Sequence, residues 1–171
     1  MRPDISNFKS WKEVTLTRPY IDGTWKMMCL PPNRTATISS HPSKELMDFR
    51  SELGTKQIGT EGYVAIFVNK VGESCFLGER TPHFPEGTII VKARLEDPVL
   101  GEAVFLSVMY KLPAGTSPES GDWQYLVYAP DAKIELKKHN LPNCQNCHNQ
   151  WKSTDYVSRE YLTTEQQLNL R

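Results

Sequence analysis

The sequence predicts an α+β fold dominated by one antiparallel β-sheet, with a helix at the N-terminus and a helical segment at the C-terminus. Three observations support this prediction. Runs rich in Val, Ile, Phe and Tyr alternate with turn residues through the middle of the chain. Apolar side chains recur at helical spacing near the start. Residues 145–168 are polar, with aromatic residues at irregular intervals, which is typical of a helical tail.

Length and charge restrict the class of protein. A chain of 171 residues can form one domain, residues 1–171, around a single hydrophobic core. Twenty Lys and Arg residues balance twenty Asp and Glu residues, so the charge indicates no nucleic-acid or anionic membrane partner. No apolar stretch approaches the roughly 18 residues that a membrane span requires. We therefore expect a single domain with no nucleic-acid partner and no membrane span.

The N-terminal residues 4–16 predict a short amphipathic helix. Ile5, Phe8 and Trp11 lie at helical spacing behind Asp4, a possible N-cap. We expect the apolar side of this helix to pack on the sheet.

Four runs predict the strands of the antiparallel sheet. They cover residues 63–70, 87–96, 102–111 and 122–130, and Gly, Pro or Asp turns bound them. The segment TSPESGDW, residues 116–123, predicts a hairpin or a longer loop between the last two strands. Residues 18–43 contain several prolines, which predict short strands and turns there.

Cys144, Cys147 and His148 form the motif C-x-x-C-H near the C-terminus. Two thiols separated by two residues can add to the two vinyl groups of one haem, and the histidine that follows then becomes the proximal ligand of the iron. The motif therefore predicts one covalently bound haem c per chain, with His148 as the metal ligand.

Two other kinds of site could use the same residues. A zinc site would need a fourth ligand, for example Cys29, Cys75 or His139, and no second C-x-x-C lies at a familiar spacing. A thioredoxin-like redox pair would begin a helix after a strand of a βαβ unit, whereas this motif follows the last predicted strand. The spacing favours haem attachment over both alternatives.

Covalent haem attachment also predicts a location. The reaction requires reduced thiols and dedicated machinery on the outer side of the cytoplasmic membrane. We therefore expect a periplasmic protein whose leader peptide is absent from this numbering. Cys29 and Cys75 could then form a disulfide or remain two separate buried thiols, and the sequence leaves both possibilities open.

Three segments, in this order, resemble the cytochrome P-460 family, which includes the cytochromes c′-beta. They are FPEGTIIVKARLE (84–96), SPESGDWQYLVYAPDAK (117–133) and CQNCHNQWKSTDYV (144–157), with a weaker match in NFKSWKEV (7–14). The resemblance implies a sheet-rich protein with one haem, often a homodimer. It also implies a five-coordinate iron whose distal face is open to hydroxylamine or nitric oxide.

The resemblance implies a role for Lys92 in GTIIVK. In the family, a lysine at the matching position is covalently joined to the haem edge. Alternation puts Lys92 on the same strand face as Ile90 and Arg94, where a solvated side chain would otherwise be the simplest interpretation. A lysine nitrogen attacks a porphyrin carbon only when neutral, and desolvation beside the haem would favour that state. We therefore predict that Lys92 contacts the haem, either cross-linked to it or tuning it.

The strand at 102–111 lacks the carboxylate that would accept protons from hydroxylamine, because its only acidic residue is Glu102 at its start. An apolar pocket would instead favour uncharged gases. Phe76, Phe84, Phe105 and Met109 are candidates to line the haem pocket, and ordinary core packing is the alternative for each of them.

On the proximal side, Asp155 and Tyr156 follow the haem motif closely. Either could support His148 through a hydrogen bond to its second ring nitrogen, and a backbone carbonyl could do so equally.

These features give two main functional predictions. The first is a haem enzyme that oxidises hydroxylamine and passes the electrons to a soluble acceptor such as a cytochrome. The second is a non-enzymatic binder of nitric oxide or carbon monoxide. Simple electron transfer would need a distal side-chain ligand that the sequence does not identify.

Overall fold

The computed structural model describes residues 2–21, 62–95, 97–99, 101–133, 135–137 and 142–171. In these parts of the chain, strands form one antiparallel sheet, and short helices follow the last strand or lie in the connections. This architecture confirms the predicted α+β class in which the sheet dominates. None of the helices in the described ranges is long and apolar enough to cross a membrane.

The elements are short and are numbered in chain order. The strands are β1 (Lys12–Glu13), β2 (Tyr20–Ile21), β3 (Gly62–Val68), β4 (Ile89–Leu95), β5 (Ala103–Lys111), β6 (Trp123–Tyr128) and β7 (Glu135–Lys137). The α-helices are α1 (Glu73–Gly78), α2 (Pro142–His148) and α3 (Thr164–Leu168), and the 3-10 helices are η1 (Phe8–Ser10), η2 (Pro118–Ser120) and η3 (Asn149–Thr154). The sheet order is β1-β3-β4-β5-β6-β7, and β2 also pairs with β3.

Both faces of the sheet are buried. One face, called the Lys92 face below, carries Val64, Ile66, Ile90, Lys92, Phe105, Met109, Trp123, Tyr125 and Val127. Helix α1 and the C-terminal residues Val157, Tyr161 and Leu162 pack on this face. The opposite face carries Ala65, Phe67, Val91, Ala93, Leu106, Val108 and Leu126, and Ile5 and Phe8 pack on it. Successive side chains of each central strand therefore point alternately into these two apolar layers.

The structure corrects the predicted helix over residues 4–16. The segment contains only the single 3-10 turn η1, after which Trp11 has an extended backbone. Ile5 and Phe8 are buried, as their spacing predicted. The helix does not continue because β1 pairs with β3, and strand pairing requires an extended chain whose backbone groups face the neighbouring strand.

The other elements confirm most of the prediction. Strands β3 to β6 correspond to the four predicted runs, with ends that differ by no more than two residues. The predicted loop at 116–123 contains η2, and the predicted helical tail consists of α2, η3 and α3. Most of the region predicted as short strands and turns, residues 18–43, lies outside the described residues. In the described part of that region, β2 is one such short strand. Helix α1 and the short strands β1 and β7 were not predicted, because such short elements carry no periodic pattern.

Asp122 closes the β5–β6 hairpin. Its Oδ1 accepts a hydrogen bond from the Ser117 amide at 2.7 Å, and its Oδ2 accepts one from the Gly115 amide at 3.0 Å. The hydrogen bond from the Ser117 amide has the largest effect on the pKa of Asp122 and holds it below its ordinary value of 3.8. Partial burial acts in the opposite direction. The hairpin therefore depends on the charged form of Asp122.

Replacing Asp122 with asparagine should lower the free energy of unfolding by about 1 kcal/mol at pH 7, because asparagine has one neutral oxygen in place of the two charged oxygens that accept from Ser117 and Gly115. Asn tolerates the φ of 61° found here, so the backbone should not change. Since the folded pKa is depressed, the difference from wild type should be complete above about pH 4 and should disappear as the pH falls through the folded pKa. Urea unfolding between pH 7 and pH 3 measures the difference, and a value independent of pH would contradict the prediction.

Candidate haem-binding site

A cavity lies on the Lys92 face of the sheet, beneath the C-terminal segment. Its empty space amounts to about 630 Å³, part of which is open to solvent. The strands contribute Ile66, Ile90, Lys92, Ser107, Val108, Met109, Tyr125, Leu126 and Val127, and the helical parts contribute Phe76, Cys144, His148, Val157, Ser158 and Tyr161. The cavity is therefore mostly apolar, with a few polar groups that converge on it.

His148 ends α2 and lines this cavity. Its ring lies between two aromatic rings, with centroids 5.1 Å from Tyr125 and 5.4 Å from Trp151. Its Nδ1 is 2.6 Å from the backbone carbonyl oxygen of Tyr156. Because a carbonyl can only accept, Nδ1 carries the proton and donates it, and the lone pair is on Nε2. Of the possible partners left open by the sequence, the structure selects a backbone carbonyl.

The protonation state of His148 suits a metal ligand. Burial lowers the pKa of His148 to about 4, the hydrogen bond with Tyr156 opposes this, and the nearby positive charge of Lys92 lowers it further. The imidazole is therefore neutral at pH 7, and its Nε2 lone pair is available to a metal ion.

The two cysteines of the motif are on the same helix as His148. Cys144 is four residues before His148 and lines the cavity with it, as positions i and i+4 share a helix face. Cys147 directly precedes His148 and is partly accessible, although it is not among the lining residues; its Sγ lies 3.5 Å from Nε2 of Gln150. Neither thiol is part of a disulfide. Two reduced thiols beside a neutral imidazole fit the attachment of one haem.

Lys92 lines the same cavity from strand β4. Its neighbours across the sheet are Ile66 on β3 and Ser107 on β5. Its Nζ donates a hydrogen bond to the hydroxyl of Tyr161 at 2.8 Å and lies 4.7 Å from the centroid of that ring. The tyrosine thus compensates the lysine amine for lost hydration through both a hydrogen bond and a cation–π contact.

The four predicted pocket residues fall into two groups. Phe76 and Met109 are buried and line the cavity. Phe84 and Phe105 belong to the same hydrophobic cluster but are not among the lining residues. Phe84 packs edge to face against Phe76 and Trp123, with ring centroids 6.2 Å and 5.5 Å apart. Core packing describes the contacts of Phe84 and Phe105, and a haem contact for either stays a prediction.

Three residues with hydroxyl groups line the cavity but were not predicted from the sequence: Ser107, Ser158 and Tyr161. Ser107 could have been predicted, because it lies on the same strand face as Met109. Ser158 and Tyr161 reach the cavity only through the path of the C-terminal segment. Glu102 is exposed at the start of β5, and the described residues that line the cavity include no carboxylate.

The other histidines and cysteines of the chain either do not line this cavity or lie outside the described residues. His83 is exposed. Cys75, on α1, has a free thiol in the hydrophobic core, and burial raises its pKa. Cys29, His41 and His139 lie outside the described residues, so the pairing of Cys29 with Cys75 stays a prediction. Within the described ranges, no group of three or more His, Cys, Asp or Glu side chains could hold a metal ion.

Fold and cavity together define a sheet protein with a mostly apolar site on one face. Residues 43–159 match the cytochrome P460 family model. A search of the curated proteins found no match to this chain. Because the family match covers more than half of the sequence and includes the C-x-x-C-H motif, the chain belongs to the cytochrome P460 family. Membership confirms the resemblance seen in the sequence and implies a c-type cytochrome with a haem cofactor.

The segment after the haem motif packs tightly against the β5–β6 hairpin. Gly121 has a φ of 63°, and a Cβ atom at this position would overlap the ring of Tyr156. Because Gly121 has no side chain, the Tyr156 ring can pack beside it. This packing in turn positions the backbone carbonyl of Tyr156, which accepts the hydrogen bond from His148.

Replacing Gly121 with alanine should lower the free energy of unfolding by about 2 to 4 kcal/mol, because the left-handed backbone and the overlap both oppose the new methyl group. Gly87→Ala is the matched control. Gly87 has a similar φ of 82°, and no heavy atom lies within 4 Å of its added Cβ, so it should lose only about 1 kcal/mol. Denaturant unfolding compares the two variants, and equal losses would contradict the role of the Tyr156 contact.

Proposed function

We propose that this chain is a periplasmic c-type cytochrome with one haem covalently attached through Cys144 and Cys147 and with His148 as its proximal ligand. When bound, the haem supplies an iron that can bind a small ligand at its open position and exchange electrons with it. The observation that carries the proposal is the arrangement of His148: its Nδ1 is engaged with Tyr156, and its ring shares a cavity with Cys144 and Lys92.

We further propose that the protein binds and oxidises hydroxylamine, and also binds nitric oxide, at the open distal face of the haem. Lys92 supports this proposal, because Tyr161 holds its amine in the cavity, where it could be cross-linked to the haem or tune it. The hydroxyls of Ser107, Ser158 and Tyr161 could accept hydrogen bonds from hydroxylamine and relay the protons that its oxidation releases. The electrons would pass to a soluble acceptor such as a cytochrome.

One observation favours a second candidate, a non-enzymatic binder of nitric oxide or carbon monoxide that resembles the cytochromes c′-beta and serves gas binding or detoxification. Among the described lining residues there is no carboxylate, and most of the others are apolar. An uncharged gas loses little hydration on entering such a cavity, whereas a strongly hydrated substrate loses more.

Two further parts of the proposal have separate support. The periplasmic location follows from covalent haem attachment, and fractionation of cells that express the gene tests it. The homodimer follows from the resemblance to the family, and sedimentation of the purified holoprotein tests it.

Haem attachment is tested by expression together with a c-type maturation system. The wild-type protein should keep its pigment through denaturation and acid-acetone washing, whereas the variant with both Cys144→Ala and Cys147→Ala should lose it, because no thioether can form. Cys75→Ala is the control, since this free thiol lies in the core and should be dispensable for attachment. Extraction of the pigment from the wild-type protein would contradict covalent attachment.

The role of Lys92 is tested by Lys92→Met in the holoprotein. If the enzyme proposal is correct, the wild type should have a strongly red-shifted ferrous Soret band and should reduce an added dye when hydroxylamine is supplied. Lys92→Met should lose the red shift and at least tenfold in dye reduction, because the cross-link or the tuning charge is gone. Lys70→Met is the control, because the Lys70 side chain is 92% exposed.

The same measurements distinguish the second candidate. Ordinary c-type absorption bands in the wild type, together with tight binding of nitric oxide or carbon monoxide and no dye reduction, would select the gas binder and contradict the enzyme.

A further inference from the structure

We infer that Asp155 is a positioning residue that holds the Tyr156 carbonyl against Nδ1 of His148 and thereby sets how strongly this histidine donates to the iron. The inference rests on the proposed function in one respect, namely that His148 is the haem ligand. Asp155 does not itself touch His148 in any described contact, so its effect must pass through its neighbour Tyr156.

The carboxylate of Asp155 forms a buried ion pair with Lys111. Nζ of Lys111 lies 2.8 Å from Oδ1 and 2.7 Å from Oδ2, and the two side chains are only 12% and 14% exposed. The same ammonium group donates to the Gly121 carbonyl at 2.8 Å and lies 4.9 Å from the Trp123 ring centroid. A buried charge with this many partners is held in one place, and removal of either partner leaves the other uncompensated.

Two further hydrogen bonds fix Asp155 from other elements. The Phe84 amide, just before β4, donates to Oδ2 at 2.8 Å. Nε1 of Trp123, on β6, donates to the backbone carbonyl of Asp155 at 2.7 Å. Together with Lys111 on β5, these contacts connect the side chain and the main chain of Asp155 to two strands of the sheet and to the loop before β4.

The backbone around Asp155 needs this support. Asp155 and Tyr156 have φ values of 50° and 64°, two consecutive left-handed residues that are not glycine. Each costs about 1 kcal/mol or more, and such conformations persist only where the surroundings impose them. The turn ends with the Tyr156 amide donating to the Trp151 carbonyl at 2.7 Å, while the Tyr156 carbonyl accepts from His148 at 2.6 Å. The contacts of Asp155 therefore impose the turn that aims this carbonyl.

The orientation of the carbonyl has a chemical consequence. A hydrogen bond from Nδ1 to a well-placed acceptor increases the basicity of the imidazole, which strengthens its bond to iron and favours the ferric state. Loosening the turn would misalign the Tyr156 carbonyl and weaken its hydrogen bond with Nδ1 of His148. The iron–histidine bond should then weaken, and the reduction potential should rise.

Three holoprotein variants test this inference. Asp155→Asn removes the charge but can adopt the same left-handed backbone. Lys111→Met removes the other half of the ion pair. Trp123→Phe removes the hydrogen bond to the Asp155 carbonyl without a change of charge, and it keeps an aromatic ring beside Lys111 and Phe84. Redox titration gives the potential, and resonance Raman spectroscopy of the ferrous protein gives the iron–histidine stretching frequency.

A positioning role predicts that all three variants lower this frequency and raise the potential, and that Trp123→Phe has the smallest effect. A purely electrostatic role predicts opposite shifts for the two charge variants, because loss of the positive Lys111 would favour ferric iron whereas loss of the negative Asp155 would favour ferrous iron. Lys111→Met therefore decides between them: a lower potential with an unchanged frequency would overturn the inference.

The control Glu73→Gln removes a carboxylate from the exposed pair with Lys70, and it should leave both measurements unchanged. A wild-type protein without an iron–histidine band would refute the proposed function itself. A wild type that has the band, with three folded variants whose spectra match it, would refute only the role of Asp155. If the charge variants do not fold, Trp123→Phe still tests the inference, since an unchanged frequency in that variant would overturn it.

Discussion

The hydrogen bond between Nδ1 of His148 and the Tyr156 carbonyl is the interaction on which the rest of the site depends. It selects one tautomer, so the Nε2 lone pair of a half-buried, neutral ring is left for a metal ion. It also fixes the ring plane between Tyr125 and Trp151. The partners are eight residues apart along the chain, so the bond exists only if the segment after α2 turns back on itself. The η3 turn and the left-handed residues that end it provide this reversal.

The sheet contributes the other side of the cavity. Because the central strands alternate strictly between two buried faces, Lys92 and Met109 are directed to the same apolar layer as Phe76 on α1. A lysine in such a layer is costly unless its amine keeps polar partners. Tyr161 supplies a hydroxyl and a ring face at once, which allows a cationic group to remain beside a mostly apolar cavity.

Much of the fold was predictable because strands β3 to β6 are long enough to show a period of two, and because Gly, Pro and Asp separate them. The N-terminal helix was predicted wrongly for a related reason. Ile5 and Phe8 fit a helical period, but the same spacing also suits one 3-10 turn before a paired strand. Pairing with β3 gives hydrogen-bond partners to more backbone groups than a lone helix of that length would. This tertiary contact is not visible in the local sequence pattern.

Residue types at fixed local spacing were enough to predict the motif at Cys144 to His148 and the sheet face of Lys92, and to identify the family. Only the tertiary structure decided which group accepts the proton of His148, that Tyr161 is the partner of Lys92, and that Asp155 is held by Lys111. The last two pairs are 69 and 44 residues apart along the chain. They therefore depend on how separate elements pack, which a local sequence pattern does not show.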